Sequence, residues 1–443
     1  MSRAPAFVST RDAARRAVSL DEALLRGLAP DGGLYVPDAV PQLPEGWSDS
    51  ASYHDAIDAV LRPWFEAADA DAAVTSAQEA LDFPVPIRQL GDAGGGGRAL
   101  LELHHGPTLA FKDVAARTMA RWLARSLRRR DASATLLVAT SGDTGSAVAD
   151  GFAGVEGLRV VVLYPLGRVS PLQERQLTLP RAGVFVLGVE GDFDDCQRLV
   201  KSALVDPALA GLRLSSANSI NVGRLLPQVT YHVWGALQLA RALDVPLEAL
   251  VSVVPSGNLG NLAAGLLAAA MGLPLAGFLA AHNRNDHFPR VLQGAADPRD
   301  RPATIVTLSN AMDVGAPSNL ERLLALFPSS RYPVPVAGAS VDDAATLASM
   351  ARTYREDGVL VCPHTAVGLE ALRLLRAQGR VAPSAPALLL ATAHPAKFPE
   401  VVERALPGVR VKEPRLERLP PGTPLARLAP DSGALRRWLL EGL

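Results

Sequence analysis

From residue 134 onward the chain alternates two hydrophobic rhythms. Short unbroken apolar runs, ATLLVAT (134–140), RVVVLYP (159–165), GVFVLGVEG (183–191), LVSVVPSG (250–257) and PALLLAT (386–392), predict strands buried on both faces. Strands near 275–281 and in TIVTLS (304–309) continue the series. Between them apolar residues recur every three or four positions, as at Val114, Met119, Trp122, Leu123 and Leu127. That spacing predicts helices over 113–129, 144–153 and 193–205. Another helix starts at Ser170-Pro171, where Ser can cap and Pro can occupy the first turn. Strands of this kind alternating with helices build parallel sheets covered on both faces, so the fold class is α/β.

Two stretches interrupt the rhythm. GDAGGGGR (91–98) reads as a linker, because consecutive glycines are costly to order in a helix or strand. It sets off an N-terminal unit of about 90 residues, whose APDGGLYVP segment reads as a turn followed by a short strand. Residues 259–281 carry no charge and reach membrane-spanning length. Gly265, Gly272, Pro274 and Gly277 divide them, however, and alanine dominates, so they read as a buried helix, a turn and a strand. The Pro- and Arg-rich segment from 407 onward looks peripheral.

Composition narrows the function classes. The chain has 443 residues, 48% hydrophobic and 20% charged, with a formal net charge of −1. That suits a large core and gives no global field for nucleic acid or an anionic membrane. The N-terminus shows no apolar secretory core. Cys196 and Cys362 lie in no metal- or disulfide-type spacing, which points to a reducing, cytoplasmic setting. Cys362-Pro-His364 lacks the further ligands a metal site needs.

Of 44 basic residues only Lys112, Lys201, Lys397 and Lys412 are lysines. Arginine serves equally for a surface charge, but only lysine can lose a proton and form an imine. Lys112 follows the apolar residues Leu109, Ala110 and Phe111, and burial would free its amine. A snorkelling lysine at a helix start would read the same in isolation. TSGDTG follows one strand and PSGNLG another, and each opens a helix. Both place glycines and backbone N–H groups at a helix N-terminus, suited to a phosphate or carboxylate, although an ordinary capped turn has the same grammar. Polar residues also mark NSINVGRLLPQ, with Asn218, Asn221 and Arg224, and TAHPAKF, with Thr392, His394 and Lys397. Ligands bind at strand C-termini in open α/β sheets. A carbonyl cofactor that carries a phosphate would need an amine, an anion cradle and a ring partner, and pyridoxal phosphate meets all three.

In these motifs the chain resembles the threonine synthase family of fold-type-II pyridoxal-phosphate enzymes. The resemblance runs in order from Val8-Ser9-Thr10-Arg11 and APDGGLYVP through HHGPTLAFKD, TSGDTG, NSINVGRLLPQ, PSGNLGN and TLSNAMDVGAPSN to TAHPAKF. It is nearer the enterobacterial and fungal branch than the plant-like one. It implies an N-terminal domain over 1–92, a catalytic region over 98–405 and a C-terminal tail over 406–443. The catalytic region would hold a smaller subdomain, roughly 130–225, and a larger one, roughly 98–129 plus 226–405.

The resemblance also implies roles for single residues. Lys112 matches the lysine bonded to pyridoxal phosphate. Gly257, Asn258, Leu259 and Gly260 match the loop that holds the cofactor phosphate, and Thr392 matches the partner of the ring nitrogen. Ser141, Gly142, Asp143 and Thr144 match the loop expected to hold the substrate carboxylate. Asn218, Arg224 and Lys397 are candidates for the substrate phosphate. The implied reaction takes O-phospho-L-homoserine and water to L-threonine and phosphate, in a cytoplasmic monomer or homodimer with no nucleic-acid or membrane partner. Two departures are Asn261, where an acid is common in the family, and a looser match in HTAVG (364–368). A serine or threonine dehydratase, or a phospholigand-binding protein without catalysis, would share several of these features.

Overall fold

The computed structural model describes residues 4–91, 96–140 and 142–443. Four linker residues, 92–95, and Ser141 therefore lie outside the described residues. Thirteen strands appear among them: β1 (Phe7–Ser9), β2 (Tyr35–Pro37), β3 (Ile87–Leu90), β4 (Arg98–Glu102), β5 (Ala134–Ala139), β6 (Leu158–Pro165), β7 (Val184–Val189), β8 (Leu214–Ser216), β9 (Val251–Pro255), β10 (Gly277–His282), β11 (Val336–Ser340), β12 (Ala387–Ala391) and β13 (Ala426–Leu428). They form a six-stranded sheet, β11-β10-β9-β12-β4-β3, a five-stranded sheet, β13-β7-β6-β5-β8, and the pair β1-β2. Apart from β3 on β4 and β1 on β2, all pairings are parallel. Every residue of β5, β9, β10 and β12 is buried, as the unbroken apolar runs require.

The N-terminal unit packs on the lysine-bearing helix, Lys112–Arg128. Trp122 donates its indole N–H to the Ala73 carbonyl at 3.0 Å, and Phe65 meets the Trp122 ring edge-on at 5.1 Å. Ser52 and Asp55 form a reciprocal cap that starts the helix Tyr53–Leu61. That helix reaches the larger sheet's covering layer through Tyr53 and Thr230, whose hydroxyls lie 2.8 Å apart. The uncharged 259–281 stretch is a helix, Gly260–Ala270, followed by β10. No helix among the described residues is long and apolar enough to cross a membrane.

Two sequence expectations fail. TIVTLS forms no strand. Asn285 takes both backbone groups of Ile305, accepting from its N–H and donating to its carbonyl, each at 2.8 Å, and Asp313 accepts from Thr307 N–H. Side chains thus occupy the positions a neighbouring strand would use, and β11 fills the edge of β10 instead. Nor is the tail peripheral. β13 extends the five-stranded sheet beside β7, and the helix Ser432–Glu441 packs Leu435 and Leu439 into the same core as Leu199. Before that, Arg415 donates to the carbonyls of His105 and Gly106 at 3.2 Å each, and Leu416 is buried against Leu109 and Ala396.

Candidate active site

The chemistry-bearing segments leave the carboxyl ends of parallel strands in both large sheets. GPTLAFKD follows β4, TSGDTG β5, NSINVGR β8, PSGNLG β9 and TAHPAKF β12. GPTLAFKD carries Lys112, and Asp143, Arg224 and Lys397, from three of the other segments, lie near enough to act on its charge.

Lys112 is the first residue of its helix, and a tight loop fixes it there. Asp113 accepts from the Thr108 N–H at 2.8 Å and from the Thr108 hydroxyl at 2.5 Å. A Cβ at position 106 would lie 2.5 Å from the Asp113 carboxylate, so glycine is required there. Leu109, fully buried, takes a left-handed φ of 62°. Phe111 N–H then donates to the Thr392 carbonyl at 2.9 Å, and His394 N–H to the Leu109 carbonyl at 3.0 Å. The loop is thereby sewn to the end of β12, which places Thr392 beside the lysine segment.

The Lys112 side chain is half-buried, and no hydrogen bond to its Nζ occurs among the described residues. Burial pushes its pKa down to about 8. Lys397 and Arg224 act in the same direction, and Asp143 opposes them. Burial pushes the Asp113 carboxyl up to about 6 against the pull of its Thr108 hydrogen bonds.

Asp143 opens the helix Asp143–Gly151 and is buried with Lys397. Their ion pair measures 2.7 Å. Burial alone would raise the Asp143 pKa, but the Lys397 and Lys112 ammoniums outweigh it and hold the carboxyl below the usual range. Lys397 also donates to the Thr108 carbonyl at 2.8 Å, alongside Gln176 at 3.1 Å. Gly142 has a φ of 147°, and a Cβ there would lie 2.6 Å from the Gln173 amide. Thr144 is half-buried next to Asp143. Lys397, a candidate for the substrate phosphate by its sequence position, thus has two of its donors engaged inside the protein.

Asn218 is engaged as well. Its amide accepts from Ala139 N–H at 3.2 Å and donates to Ala139 carbonyl at 2.8 Å, continuing the β5 to β8 pairing with a side chain. Arg224 is buried, donates through Nη1 to the Ala217 carbonyl at 2.7 Å and leaves Nε without a partner among the described residues. Burial draws its pKa down to about 10.

The PSGNLG turn is built differently. Asn258 locks it by donating to the Ser219 hydroxyl at 2.6 Å and accepting from Ser318 N–H at 2.5 Å, while its carbonyl accepts from Asn319 at 2.9 Å. Leu259 is buried in a left-handed conformation, φ 61°, and no side chain caps the helix Gly260–Ala270. The N–H groups of Gly257, Asn258, Leu259 and Gly260 have no acceptor among the described residues. A Cβ at Gly257 would lie 2.8 Å from the Met312 Cα. Asn258 and Leu259 therefore shape the turn with their side chains and offer only their amides to a ligand.

These residues fit pyridoxal phosphate. An uncommitted amine, four open backbone donors at a helix N-terminus and a hydroxyl at a strand end are the donor set it needs. Sequence reasoning missed the partners that hold these groups, namely Thr108, Asp113 and Gln176. His364 entered the sequence reading only through Cys362-Pro-His364 and the looser HTAVG match, neither of which gives it a role in the site. The Lys-Asp pair opening the helix was the available signal for Asp113.

Known proteins resemble this chain in sequence and fold. Residues 85–393 match the family model of pyridoxal-phosphate-dependent enzymes, and residues 6–77 match that of the threonine synthase N terminus. Threonine synthase of Serratia marcescens is 40% identical over 435 residues, covering 96% of each chain. The crystal structure of Escherichia coli threonine synthase superposes with a TM-score of 0.87 at 35% identity, covering 99% of this chain and 100% of that one. A threonine synthase from Brucella melitensis with bound pyridoxal phosphate gives a TM-score of 0.85 at 33% identity, covering 98% and 99%. The chain belongs to the threonine synthase family of pyridoxal-phosphate-dependent enzymes.

Proposed function

We propose that this chain converts O-phospho-L-homoserine and water into L-threonine and inorganic phosphate. One observation carries the reading. The Lys112 amine, free of hydrogen bonds among the described residues and pushed down to about pKa 8, lies within electrostatic reach of Arg224 and Asp143, and the amides of the PSGNLG turn stand open.

Pyridoxal phosphate would be held by Lys112, by the amides of Gly257, Asn258, Leu259 and Gly260, and by the Thr392 hydroxyl. When bound, it supplies an electron sink conjugated with the substrate's α-carbon. The protein's own groups do the rest. Lys112 Nζ takes the α-proton and carries protons to and from the neighbouring carbons, a task for an amine titrating near neutrality. At the helix N-terminus the backbone N–H groups of Asp143 and Thr144, with Ser141, receive the substrate carboxylate, while Gly142, whose own N–H is taken by the Thr140 hydroxyl, shapes the turn. Phosphate leaves as its bond to the γ-carbon breaks, and water adds at the β-carbon. Arg224 is the natural clamp for that phosphate, because a buried guanidinium with an open donor binds a phosphate oxygen strongly. Asn218 and Lys397 complete its surroundings, Lys397 by neutralising Asp143 so that no net negative charge meets the arriving dianion. A cytoplasmic location is part of the proposal, supported by the buried free thiols of Cys196 and Cys362.

The test is product analysis of purified protein supplied separately with O-phospho-L-homoserine, serine and threonine. Equal yields of threonine and phosphate from the first substrate alone support the reading. Keto-acid release from serine or threonine with no phosphate release would replace it with a dehydratase.

A further inference from the structure

His364 is the second residue of the helix Pro363–Ala377, which Cys362 caps. The imidazole is 2% exposed and lies edge-on to Phe398, ring centres 4.9 Å apart. Its Nε2 accepts the Ala311 N–H at 3.2 Å. An imidazole that accepts at Nε2 carries its proton on Nδ1. That Nδ1 is buried and has no partner among the described residues. Burial also holds the ring neutral, its pKa pushed down to about 4, with the Asp143, Lys112 and Lys397 charges acting on it. A neutral N–H donor left unmet at this depth is costly unless something outside the protein completes it.

Two neighbouring charged groups are poor donors to a ligand oxygen at Lys112. Lys397 is engaged by Asp143 and Thr108, and Asp143 can only accept. Ala311 lies in the Asn310–Met312 turn, whose Met312 backbone abuts Gly257, so the ring is oriented by the same segment that closes the phosphate cradle. We propose that the Nδ1–H of His364 donates a hydrogen bond to an oxygen of the ligand held at Lys112. The oxygen is either the ring phenolic oxygen of the cofactor or one carried by the substrate. This rests on the reading of the site as a pyridoxal-phosphate centre.

Two substitutions separate the functions of the two ring nitrogens. In His364→Asn the amide nitrogen overlays Nδ1 and keeps a donor toward the ligand. In His364→Gln the amide oxygen overlays Nε2, keeping the acceptor for Ala311 and losing that donor. The holoenzymes are compared by absorbance spectrum, by cofactor dissociation constant and by KM for O-phospho-L-homoserine. If the oxygen is the cofactor's, the Gln variant shifts the resting band and binds cofactor about tenfold more weakly, while the Asn variant resembles wild type. If it is the substrate's, both resting bands stay put and KM rises only in the Gln variant. A Gln variant indistinguishable from wild type in all three readouts overturns the proposal. So does an Asn variant worse than Gln, which would make the ring a prop for Ala311. Should either variant fail to fold, nitrogen NMR of histidine-labelled wild-type apoprotein decides. The Nδ1 resonance of His364 must move on adding cofactor or substrate, and a resonance unmoved by both overturns the proposal. If wild-type protein shows no cofactor band at all, the reading of the site fails instead.

Discussion

TSGDTG and PSGNLG share one grammar, in which a buried parallel strand, a glycine-bearing turn and a helix follow in order, yet the protein finishes them in opposite ways. In the first, the Thr140 hydroxyl accepts from Gly142 N–H at 3.0 Å and Gly145 N–H at 2.8 Å. Two donors are thereby consumed, and the turn's remaining character is ionic, set by Asp143 and Lys397. In the second, side chains bind only the outside of the turn, and four consecutive N–H groups stay open. A preformed row of neutral donors suits a phosphate that stays bound, and a turn tuned by an internal ion pair suits a substrate that comes and goes. Matching glycine spacing therefore does not imply matching chemistry. What differs is which donors the protein has already used.

The largest effect that would break this contrast is at the ion pair. Asp143→Asn leaves Lys397 buried without its counter-charge, which costs about 3–5 kcal/mol. The urea midpoint should fall accordingly, and adding Lys397→Met should recover most of the loss. If Asp143→Asn alone leaves the midpoint in place, the pair is not what organises the first turn.

Next comes the second turn. In Gly257→Ala the new Cβ meets Met312 backbone at 2.8 Å. Strain of about 1–3 kcal/mol is expected there, so cofactor affinity should drop roughly tenfold to a hundredfold. Equilibrium titration of apoprotein with pyridoxal phosphate measures it, and unchanged affinity would remove the cradle from that turn.

The charge of the first turn should also be visible at Lys112. Only the neutral amine attacks the cofactor carbonyl, and its pKa is pushed down to about 8. The rate of cofactor capture by apoprotein should therefore fall about tenfold per pH unit below about 8 and level off above it. Asp143 raises that pKa, so Asp143→Asn should move the plateau to lower pH. A plateau that stays put, or moves up, would mean the two groups do not sense each other.

The smallest effect sharpens the comparison within one turn. At Gly260 a Cβ would find its nearest neighbours at 3.5 and 3.7 Å, ordinary contact distances, in a helical first position. Gly260→Ala should leave stability unchanged or raise it by up to about 1 kcal/mol. Calorimetry checks this beside Gly257→Ala. Equal damage at both positions would show that the glycine requirement is not steric.

The parts legible in the sequence were those whose cause is local. Strand runs, helix periodicity and the two glycine turns depend on a few adjacent residues, and β5, β9 and β12 emerge close to the expected bounds. Lys112 stood out because arginine replaces lysine almost everywhere else. TIVTLS misled because its apolar run does suit a strand, whereas its backbone partners, Asn285 and Asp313, are side chains from elsewhere. The tail misled because the apolar residues it buries, Leu416, Leu428, Leu435 and Leu439, are spread through proline and arginine. Their burial shows only once the sheet edge they cover is known. The state of Asn218 and Lys397 was likewise illegible, since a polar residue at a strand end looks the same whether it faces a ligand or a neighbouring backbone.

Lys112 and the buried Lys397 lie near one another, so the central claim reduces to which amine bonds the cofactor. Borohydride reduction of the holoenzyme, followed by digestion and mass mapping, makes that bond permanent and locates it. The account predicts the cofactor mass on the peptide containing Lys112 and on no other lysine. A label on Lys397, or no label on a protein that still releases phosphate from O-phospho-L-homoserine, would contradict it.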